Sequence, residues 1–494
     1  MYEMDRYTIE ELGLDSKILM ENAGRAISQR ITKLITKKNQ ILVLIGSGNN
    51  GGDGFVIART LHHQGYQVLA LQLVADYKIQ GDAAYHKQLF INFGGMLKKV
   101  SKTGELKGYL EQASIVVDAI LGLGVKGKLR SPLDEMVALV NSYDVITVAV
   151  DLPSGIPADE GITDFVGIEA DYTFIIQELK PSAVLGHTAP YYGKWEVVDI
   201  GISTKTTDFK QVWSKAEVCS SLPRRNDYAH KGNHGRGLVI GGSRDMPGSV
   251  AMTALAALRA GSGLITVASA WDAIPIIANH CMEAMYTSLQ SENGKIINDQ
   301  RLDLTKYDAI AIGMGMGREP KTTEFVQHVV ANATVPILID ADGLYHVKGE
   351  LPLLAKRKYR TVLTPHIGEM AMLSDTTSDY VLANPFEIAK QFATLYNVYL
   401  VLKSAVTIIT APSGKQWVNM TGNSGLAKGG SGDVLSGVLL AMMMQPQSVQ
   451  EALSNGCYIH GTSADILVAE NEAKQSLLAS DVINGLTRVF RAFQ

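Results

Sequence analysis

The chain has 494 residues, of which 46% are hydrophobic and 19% charged, a globular composition at a length that predicts about two to four domains. A formal net charge of −4 gives no basis for binding nucleic acid or an anionic membrane, so a phosphate site must come from local geometry. Cys219, Cys281 and Cys457 form no CxxC motif, which argues against a zinc site or a disulfide framework and favours a cytoplasmic protein.

The N-terminal segment, MYEMDRYTIEELGLDSKILMENAGRAI, carries acidic residues up to Glu21 and lacks the basic-then-apolar pattern of a signal peptide. Its pattern predicts an amphipathic helix. No apolar run approaches the roughly 20 residues that a membrane span requires. We therefore expect a soluble protein.

Apolar strands alternate with helices from Ile41 to Gly155. The predicted strands are ILVLIGSG, QVLALQLV, SIVVDAIL and DVITVAVDLPSG, and predicted helices follow NNGGDG, surround residues 82–92 and follow Pro132. Strands that are apolar on both faces predict a parallel sheet covered by helices, and such sheets bind ligands beyond the carboxyl ends of their strands.

Three polar clusters fall at those strand ends. A glycine turn, NNGGDG, is predicted at residues 49–54, Asp118 precedes a glycine-rich loop at residues 122–127, and Asp151 precedes PSG at residues 153–155. Each Asp could simply cap a helix or form a turn. Three clusters at one edge of one sheet favour a shared functional site.

The motifs MENAGRA, GSGNNGGDGFVIAR, DAILGLG and DLPSG resemble the NAD(P)H-hydrate epimerase domain over about residues 1–205. The resemblance implies a Rossmann-like three-layer fold in which Asp151 is the acid/base that interconverts the R and S hydrates at C6 of the nicotinamide ring. It implies K⁺ bound by Asn50, Asp118 and Ser154, oxygen ligands that suit a hard cation. The residues implied to bind the hydrates of NADH and NADPH (NADHX and NADPHX) are Asn49, Asn50, Gly51, Gly52, Asp53, Gly122, Leu123, Gly124, Val125, Lys126, Gly127, Lys128 and Asp151.

One lysine in this half is open to two interpretations. Lys180, in LKPS, matches a lysine near the site of the epimerase family, and it fits a surface lysine equally well.

A domain boundary is predicted where the glycines thin out and SSLPRR appears, before the strand pattern restarts at Arg236. We place the two domains at residues 1–210 and 211–494. The strings GGDG and GGSGD are alike, but nothing around them extends the similarity, so we predict two unrelated domains rather than a repeat.

The second half predicts another α/β layered domain. Its strands are found in RGLVIGGS, GLITVAS, YDAIAIGMGMG, VPILIDADG, TVLTPHIGEMAML, VYLVLKSAVTIIT and KQWVNM. Asp340, Asp342 and His366 follow strand ends. His366 could be a structural hydrogen-bonder, and its HxxE spacing to Glu369 is not the HExxH of a zinc site. Lys403 could leave the core or bind a nucleotide phosphate.

The most informative stretch is GNSGLAKGGSGDVLSG, residues 422–437. Its glycines precede an apolar run that predicts a buried helix, whose N-terminus suits an anion such as phosphate. Asp433 at the junction could cap that helix or accept the proton of an attacking hydroxyl. No Walker GxxxxGK[ST] motif is present.

Residues 226–269, TPHIGEM and NSGLAKGGSGDVLSG resemble the NAD(P)H-hydrate dehydratase domain, which is ribokinase-like, over about residues 215–494. The resemblance implies ADP or ATP, with Mg²⁺, as phosphoryl donor and Asp433 as the base. Glu369 is our candidate for holding Mg²⁺ through water. The implied nucleotide-binding residues are Lys403, Ser404, Ala405, Val406, Thr407 and Gly432, and the implied hydrate-binding residues are Ala251, Gly317, His366 and Asp433.

Together the two resemblances predict a bifunctional enzyme that epimerises and dehydrates hydrated NADH and NADPH. The alternative is a ribokinase-like kinase of a small vitamin alcohol whose N-terminal domain binds a nucleotide or a partner without catalysis. The sequence leaves the choice between ADP and ATP open. We expect a homo-oligomer, because LLAMMM and the N-terminal segment offer apolar surface.

Overall fold

The structure is a computed structural model that describes residues 2–124, 127–202, 210–299 and 301–493. Val125 and Lys126, two of the predicted substrate contacts, lie outside these residues. The chain divides into two compact units, Met1–Phe209 (unit 1) and Lys210–Gln494 (unit 2). Within the described ranges, no helix is long and apolar enough to cross a membrane.

Unit 1 is built on a seven-stranded sheet in the order β3-β2-β1-β4-β5-β6-β7, with every neighbouring pair parallel, as predicted. Alternate residues of the first strand enter two apolar cores, Ile41 and Val43 on one face and Leu42 and Leu44 on the other. The strands are β1 (Gln40–Ile45), β2 (Gln67–Gln72), β3 (Met96–Lys99), β4 (Ile115–Ala119), β5 (Ile146–Val150), β6 (Tyr172–Ile176) and β7 (Lys194–Val198).

The helices of unit 1 cover both faces of this sheet. They are α1 (Tyr2–Arg6), α2 (Ser16–Ile31), α3 (Asn49–His63), α4 (Gly81–Asn92), α5 (Thr103–Leu110) and α6 (Leu133–Asn141). The prediction of one amphipathic helix at the N-terminus is wrong, because a π-helical turn (Tyr7–Glu11) follows α1 and the chain then breaks. Gly13 has φ 74°, and the Asp15 carboxylate caps α2 by accepting from Lys17 N at 2.8 Å.

The glycine turn predicted at residues 49–54 is also wrong. The turn consists of residues 46–48, and NNGGDG forms the first turns of α3. These helical glycines allow a close approach. A Cβ on Gly51 would lie 2.3 Å from the carbonyl oxygen of Gly46, and one on Gly54 would lie 2.6 Å from Ala119 Cβ. The helix N-terminus is therefore packed directly against the ends of β1 and β4.

Unit 2 contains a ten-stranded sheet in the order β11-β10-β9-β14-β15-β16-β17-β18-β19-β8, parallel from β11 to β17. The stretch VYLVLKSAVTIIT forms two antiparallel strands, so Lys403 lies at the turn of a hairpin. The strands are β8 (Gln211–Val212), β9 (Arg236–Ile240), β10 (Leu264–Ala270), β11 (Met285–Leu289), β14 (Ala309–Ile312), β15 (Ile337–Ile339), β16 (Thr361–Leu363), β17 (Tyr399–Leu402), β18 (Thr407–Thr410) and β19 (Gln416–Asn419), with a separate pair, β12 (Ser291–Glu292) and β13 (Lys295–Ile296).

The predicted buried helix of unit 2 begins at Ser431, inside the glycine stretch. It packs between α8 and α17 in an apolar cluster that includes Val434, Val438 and Ala441. The helices of this unit are α7 (Lys215–Ser221), α8 (Pro247–Arg259), α9 (Ile274–His280), α10 (Pro320–Asn332), α11 (Asp342–Val347), α12 (Leu351–Lys356), α13 (Ile367–Leu373), α14 (Ser378–Ala383), α15 (Pro385–Tyr396), α16 (Ser431–Met443), α17 (Val449–Glu470) and α18 (Ala479–Arg491).

The close approach at the end of β1 yields a stability prediction. In the Gly46→Ala variant the new Cβ would lie 1.7 Å from the carbonyl oxygen of Ile120, so the backbone must move. We expect the free energy of unfolding of unit 1 to fall by about 2 kcal/mol or more. Hydrogen-exchange mass spectrometry of peptides from β1 and β4 in urea measures this unit selectively.

The control is Gly108→Ala in α5, where nothing lies within 4 Å of a Cβ. That change should leave unit 1 as stable or raise its stability by about 0.5–1 kcal/mol, because alanine favours a helix. Equal losses in the two variants would contradict the packing argument.

Candidate active sites

Asp118, Ser154 and Asn50 meet at the carboxyl edge of the first sheet. The two oxygens of Asp118 accept from Ser154 N at 2.7 Å and from Ser154 Oγ at 2.6 Å. Ser154 Oγ accepts from Leu121 N at 2.9 Å, and Asn50 Nδ2 donates to the carbonyl oxygen of Leu121 at 2.7 Å. The three residues implied to bind K⁺ are therefore linked in one network.

This network has the chemistry of a site for a hard cation. Asp118 is fully buried, and burial raises the pKa of its carboxyl group to about 6, although hydrogen bonds from Ser154 favour the ionised form. The Oδ1 atom of Asn50 is buried and accepts no hydrogen bond from the described residues. A buried carboxylate beside an unsatisfied amide oxygen fits an oxygen-coordinated cation.

Asp151 follows β5 with a φ of 68°, a left-handed conformation that few residues other than glycine adopt. Its Oδ1 atom lies 2.8 Å from Lys180 Nζ and accepts from Ile176 N at 2.9 Å. Lys180 is only 3% exposed and also donates to the carbonyl oxygen of Ile176 at 2.8 Å. The surface interpretation of Lys180 is therefore wrong: this lysine holds the Asp151 carboxylate in place.

Two more carboxyl groups belong to this edge. Asp53 in α3 is buried, and burial, followed by the negative charges of Asp151 and Asp5, raises its pKa well above the ordinary value. Burial also raises the pKa of Asp5, which lies in α1 within the electrostatic range of Lys180 and Asp151. Asp5 was not among the predicted site residues, because no motif surrounds it.

The loop after β4 reaches the same edge in part. A Cβ on Gly122 would lie 3.3 Å from Asn50 Cβ, so this glycine borders the network, whereas Leu123 is half-buried and Gly124 and Gly127 are exposed. Lys128 is exposed and pairs with Asp164 at 2.7 Å. At the start of α3, Asn49 is exposed, and Gly51 and Gly52 are buried.

In unit 2 the glycine stretch ends at the N-terminus of α16. Gly430, with φ 93°, is the N-cap residue, and Asp433 lies in the first turn of the helix. The cap interpretation of Asp433 is therefore wrong. Burial, reinforced by the charge of Asp340, raises the pKa of Asp433 to about 6, while a hydrogen bond from Ser249 and the charge of Lys403 oppose that rise.

A buried ion pair lies beside this turn. Lys403 Nζ is 2.8 Å from Asp340 Oδ1, and the other oxygen of Asp340 accepts from Ser436 Oγ at 2.7 Å. Burial, the largest single influence, would lower the pKa of Lys403, but the carboxylates of Asp340, Glu369 and Asp433 together outweigh it and the pKa is raised. A Cβ on Gly432 would be 3.3 Å from Lys403 Nζ, so the ammonium lies against the glycine turn. The interpretation that Lys403 simply leaves the core does not explain this pairing.

His366 has a structural task. It is the N-cap of α13, where its Nδ1 atom accepts from Gly368 N at 3.0 Å and Glu369 N at 3.3 Å. Glu369 Oε2 accepts in turn from His366 N at 2.9 Å, which completes a capping box. The imidazole is 60% exposed, so the rest of the ring remains open to a ligand, and the backbone of His366 is bridged to that of Lys403.

The remaining predicted residues of unit 2 occupy different elements. Ala251 is buried in α8, and Gly317, with φ 81°, donates its N–H to Asp342 Oδ2 at 3.0 Å. Ser404, Ala405 and Val406 connect β17 to β18, which begins at Thr407. The residues that sequence analysis missed here are Asp340 as the partner of Lys403 and Ser436 as the donor to Asp340.

Both units are α/β domains with buried carboxylates at the carboxyl edge of a parallel sheet, which defines an enzyme with one site in each unit. The sequence profile of a family described as YjeF-related protein N-terminus matches residues 16–182, and that of NAD(P)H-hydrate dehydratase matches residues 237–488.

Relatives match along the whole chain. A bifunctional NAD(P)H-hydrate repair enzyme from Moorella thermoacetica is 35% identical over 99% of this chain and 95% of its own length. One from Escherichia coli is 32% identical over 98% of this chain and 92% of its own length. The chain belongs to the family of bifunctional NAD(P)H-hydrate repair enzymes. This confirms the resemblances seen in the sequence and does not favour the vitamin-kinase alternative.

A solved structure supports the fold of unit 2. The ADP/ATP-dependent NAD(P)H-hydrate dehydratase from Bacillus subtilis, co-crystallised with ATP and Mg²⁺, has a TM-score of 0.51 and 32% identity. It matches 58% of this chain and 99% of its own. The ribokinase-like fold predicted for the second half is confirmed.

The buried ion pair yields a second stability prediction. In Asp340→Asn, Lys403 loses its counter-charge while its side chain stays largely buried, at 19% exposure. We expect the free energy of unfolding to fall by about 3 kcal/mol. Urea unfolding followed by tryptophan fluorescence is a suitable measurement, since unit 2 contains Trp213, Trp271 and Trp417.

Asp342→Asn is the matched control. Asp342 pairs at 3.0 Å with Arg318, whose side chain is 60% exposed, so its loss should cost no more than about 1 kcal/mol. If the two variants were equally stable, the Asp340–Lys403 pair would not be a main stabilising contact of the site.

Proposed function

We propose that the chain repairs hydrated NADH and NADPH: unit 1 interconverts the R and S hydrates at C6, and unit 2 dehydrates the S hydrate at the expense of ADP or ATP. The observation that carries this proposal is the match of both halves to the repair-enzyme family, together with the positions of Asp151 and Asp433 in the two sites. The enzyme would combine an isomerase and a lyase, with domains at residues 1–210 and 211–494.

In unit 1 Asp151 would be the acid/base that acts at C6, the hydrated carbon. Its ion pair with Lys180 holds this carboxylate in a fixed position. The first turns of α3 and the loop at residues 122–128 would bind the hydrate. Asn50, Asp118 and Ser154 would hold K⁺, whose charge would balance the buried Asp118 carboxylate and fix the loop after β4.

In unit 2 Asp433 would accept the proton of the C6 hydroxyl as its oxygen attacks the terminal phosphoryl group. The new O–P bond replaces the bond to the nucleotide, which leaves with one phosphate fewer. The C6–O bond then breaks, pushed by the ring nitrogen lone pair, and phosphate departs. Water accepts a proton from C5, and the electron pair of that C–H bond forms the C5–C6 double bond of NADH or NADPH. Phosphorylation is needed because hydroxide leaves poorly.

The nucleotide would lie along the hairpin turn at residues 403–407 and Gly432. Lys403 beside the glycine turn supplies a fixed positive charge for a phosphate. The hydrate would face Ala251, Gly317, His366 and Asp433.

Mg²⁺ would be bound mainly by the nucleotide phosphates. Among the described residues, no cluster of three or more His, Cys, Asp or Glu side chains is suited to a metal ion. Mg²⁺ commonly needs only one or two carboxylates beside substrate phosphates. Because Glu369 Oε2 already caps α13, Glu369 would reach the ion through a water. The positive charge of Mg²⁺ would offset the negative charge of the phosphates.

A homo-oligomer and a cytoplasmic location remain predictions.

The test of function uses the purified full chain and a preparation of both NADH hydrates, with ADP, ATP or neither. The return of reduced-nicotinamide absorbance is followed. Complete recovery that depends on a nucleotide is the expected result and identifies the donor. Recovery that stops when the S hydrate is used up would remove epimerisation from the proposal, and no recovery with either nucleotide would overturn it.

The pKa of Asp433 predicts a pH dependence. Because burial raises this pKa to about 6, the base is protonated below that pH. The kcat/KM of dehydration should rise as pH increases through about 6 and then level off. Asp433→Asn should lose dehydration at every pH yet still bind nucleotide, as measured by calorimetry.

The control for this pair of measurements is Asp379→Asn, which makes the same change at an exposed position of α14. It should keep the wild-type rate and profile. An active Asp433→Asn variant would exclude Asp433 as the base.

A further inference from the structure

Asp53 is a buried carboxyl group without a protein partner. It lies in the second turn of α3 and is 7% exposed. Within the described ranges its side chain has no hydrogen bond and no ion pair, and its electrostatic surroundings consist of burial and the negative charges of Asp151 and Asp5. Burial of such a group costs free energy that no bond to the protein offsets.

Its neighbour Asp151 has the opposite environment. The ammonium of Lys180 lies 2.8 Å from Asp151 Oδ1, and the N–H of Ile176 donates to the same oxygen at 2.9 Å. Neither donor serves Asp53, whose pKa is raised. The two carboxyl groups thus have contrasting surroundings, which is the usual arrangement of an acid and a base.

A structural role does not account for Asp53. A buried Asp in a helix ordinarily caps the N-terminus or pairs with a cation, and α3 already begins four residues earlier, at Asn49. Lys180, the basic group described at this edge, is engaged by Asp151 and the carbonyl oxygen of Ile176. An unpaired buried acid at a sheet edge is typical of a functional group.

We propose that Asp53 is a second catalytic residue of unit 1, a general acid that protonates the departing C6 hydroxyl while Asp151 serves as the base. This inference rests on the epimerisation proposed above. Asp53 would therefore donate a proton to the substrate in addition to binding it.

The reaction balances with water alone. Asp53 gives its proton to the C6 hydroxyl, the C6–O bond breaks with loss of water, and the ring nitrogen lone pair forms a C6=N1 double bond. A water molecule then adds to the other face of C6, the electron pair returns to N1, and Asp151 accepts the released proton. One proton has moved from Asp53 to Asp151, and the reverse reaction exchanges the two roles.

The alternative route opens the ring by breaking the C6–N1 bond to give an aldehyde, which closes again on its other face. That route retains the original oxygen atom through the chemical step, whereas departure of the hydroxyl replaces it with oxygen from the solvent. The fate of the oxygen therefore distinguishes an acid at the hydroxyl from an acid at the ring nitrogen.

The experiment uses the full chain and the R hydrate of NADH in water enriched in oxygen-18. Nucleotide is omitted, so that dehydration does not consume the product. Chromatography measures conversion to the S hydrate, mass spectrometry measures the label, and an enzyme-free sample gives the spontaneous rate. We expect one labelled oxygen per epimerisation event with the unmodified chain.

Asp53→Asn should lower kcat by about 100-fold or more with little change in KM, because an amide keeps the shape but cannot donate the proton. Asp171→Asn is the control: Asp171 is exposed, lies at the opposite edge of the same sheet and accepts from Thr147 N at 2.8 Å. It should keep the full rate. Nucleotide-dependent dehydration of the S hydrate tests that each variant is folded.

The outcomes separate this inference from the proposed function. If the unmodified chain fails to epimerise the R hydrate, the function of unit 1 is wrong. If it epimerises but retains the original oxygen, or if Asp53→Asn keeps the wild-type kcat, the role of Asp53 is wrong and the function stands. If the variants do not fold, retention of the original oxygen by the unmodified chain would still exclude Asp53 as an acid at the C6 hydroxyl.

Discussion

The burial of charge at the carboxyl edge of a parallel sheet is the constraint on which both sites depend. A carboxylate there is removed from water and is costly unless the protein supplies donors or a counter-charge. Three of the buried carboxylates at these edges have different partners. The partners are the N–H and hydroxyl of Ser154 for Asp118, Lys180 for Asp151, and Lys403 with Ser436 for Asp340.

The fold followed from the sequence wherever hydrophobic patterning alone determines an element. Apolar runs predicted the central strands of both sheets, and the glycine stretch predicted the start of α16. Hydrophobic patterning did not predict an edge strand or a chain reversal. β3, with the sequence MLKK, is largely exposed and carries no continuous apolar signal. The hairpin around Lys403 was hidden inside one apolar stretch, because patterning does not report where a chain reverses without a glycine or proline.

The site was predictable only up to the residues that motifs mark. Asp151 and Asp433 stand beside glycines in recognisable strings, but their partners do not. Lys403 lies 63 positions from Asp340, and Ser436 lies 96 positions from it, so only the folded sheet brings them together. Even the strand order gives no direct clue, because β16 separates the strands that precede Asp340 and Lys403. The sequence also does not report how exposed a side chain is, and this is why it left Lys180 open to two interpretations.

The two sites reach a common electrostatic arrangement on different folds. In each, one Asp is ion-paired to a lysine, and a second Asp nearby has no such partner and a raised pKa. The degree of burial distinguishes the proposed chemistry of Asp433 from that of Asp53. Asp433 is half-buried and receives a hydrogen bond from Ser249, so its pKa stays near 6 and it is ionised at neutral pH, as a base must be. Asp53 has no hydrogen bond from the described residues and lies deeper, which favours the protonated form of an acid. The same side chain thus receives opposite roles from its surroundings.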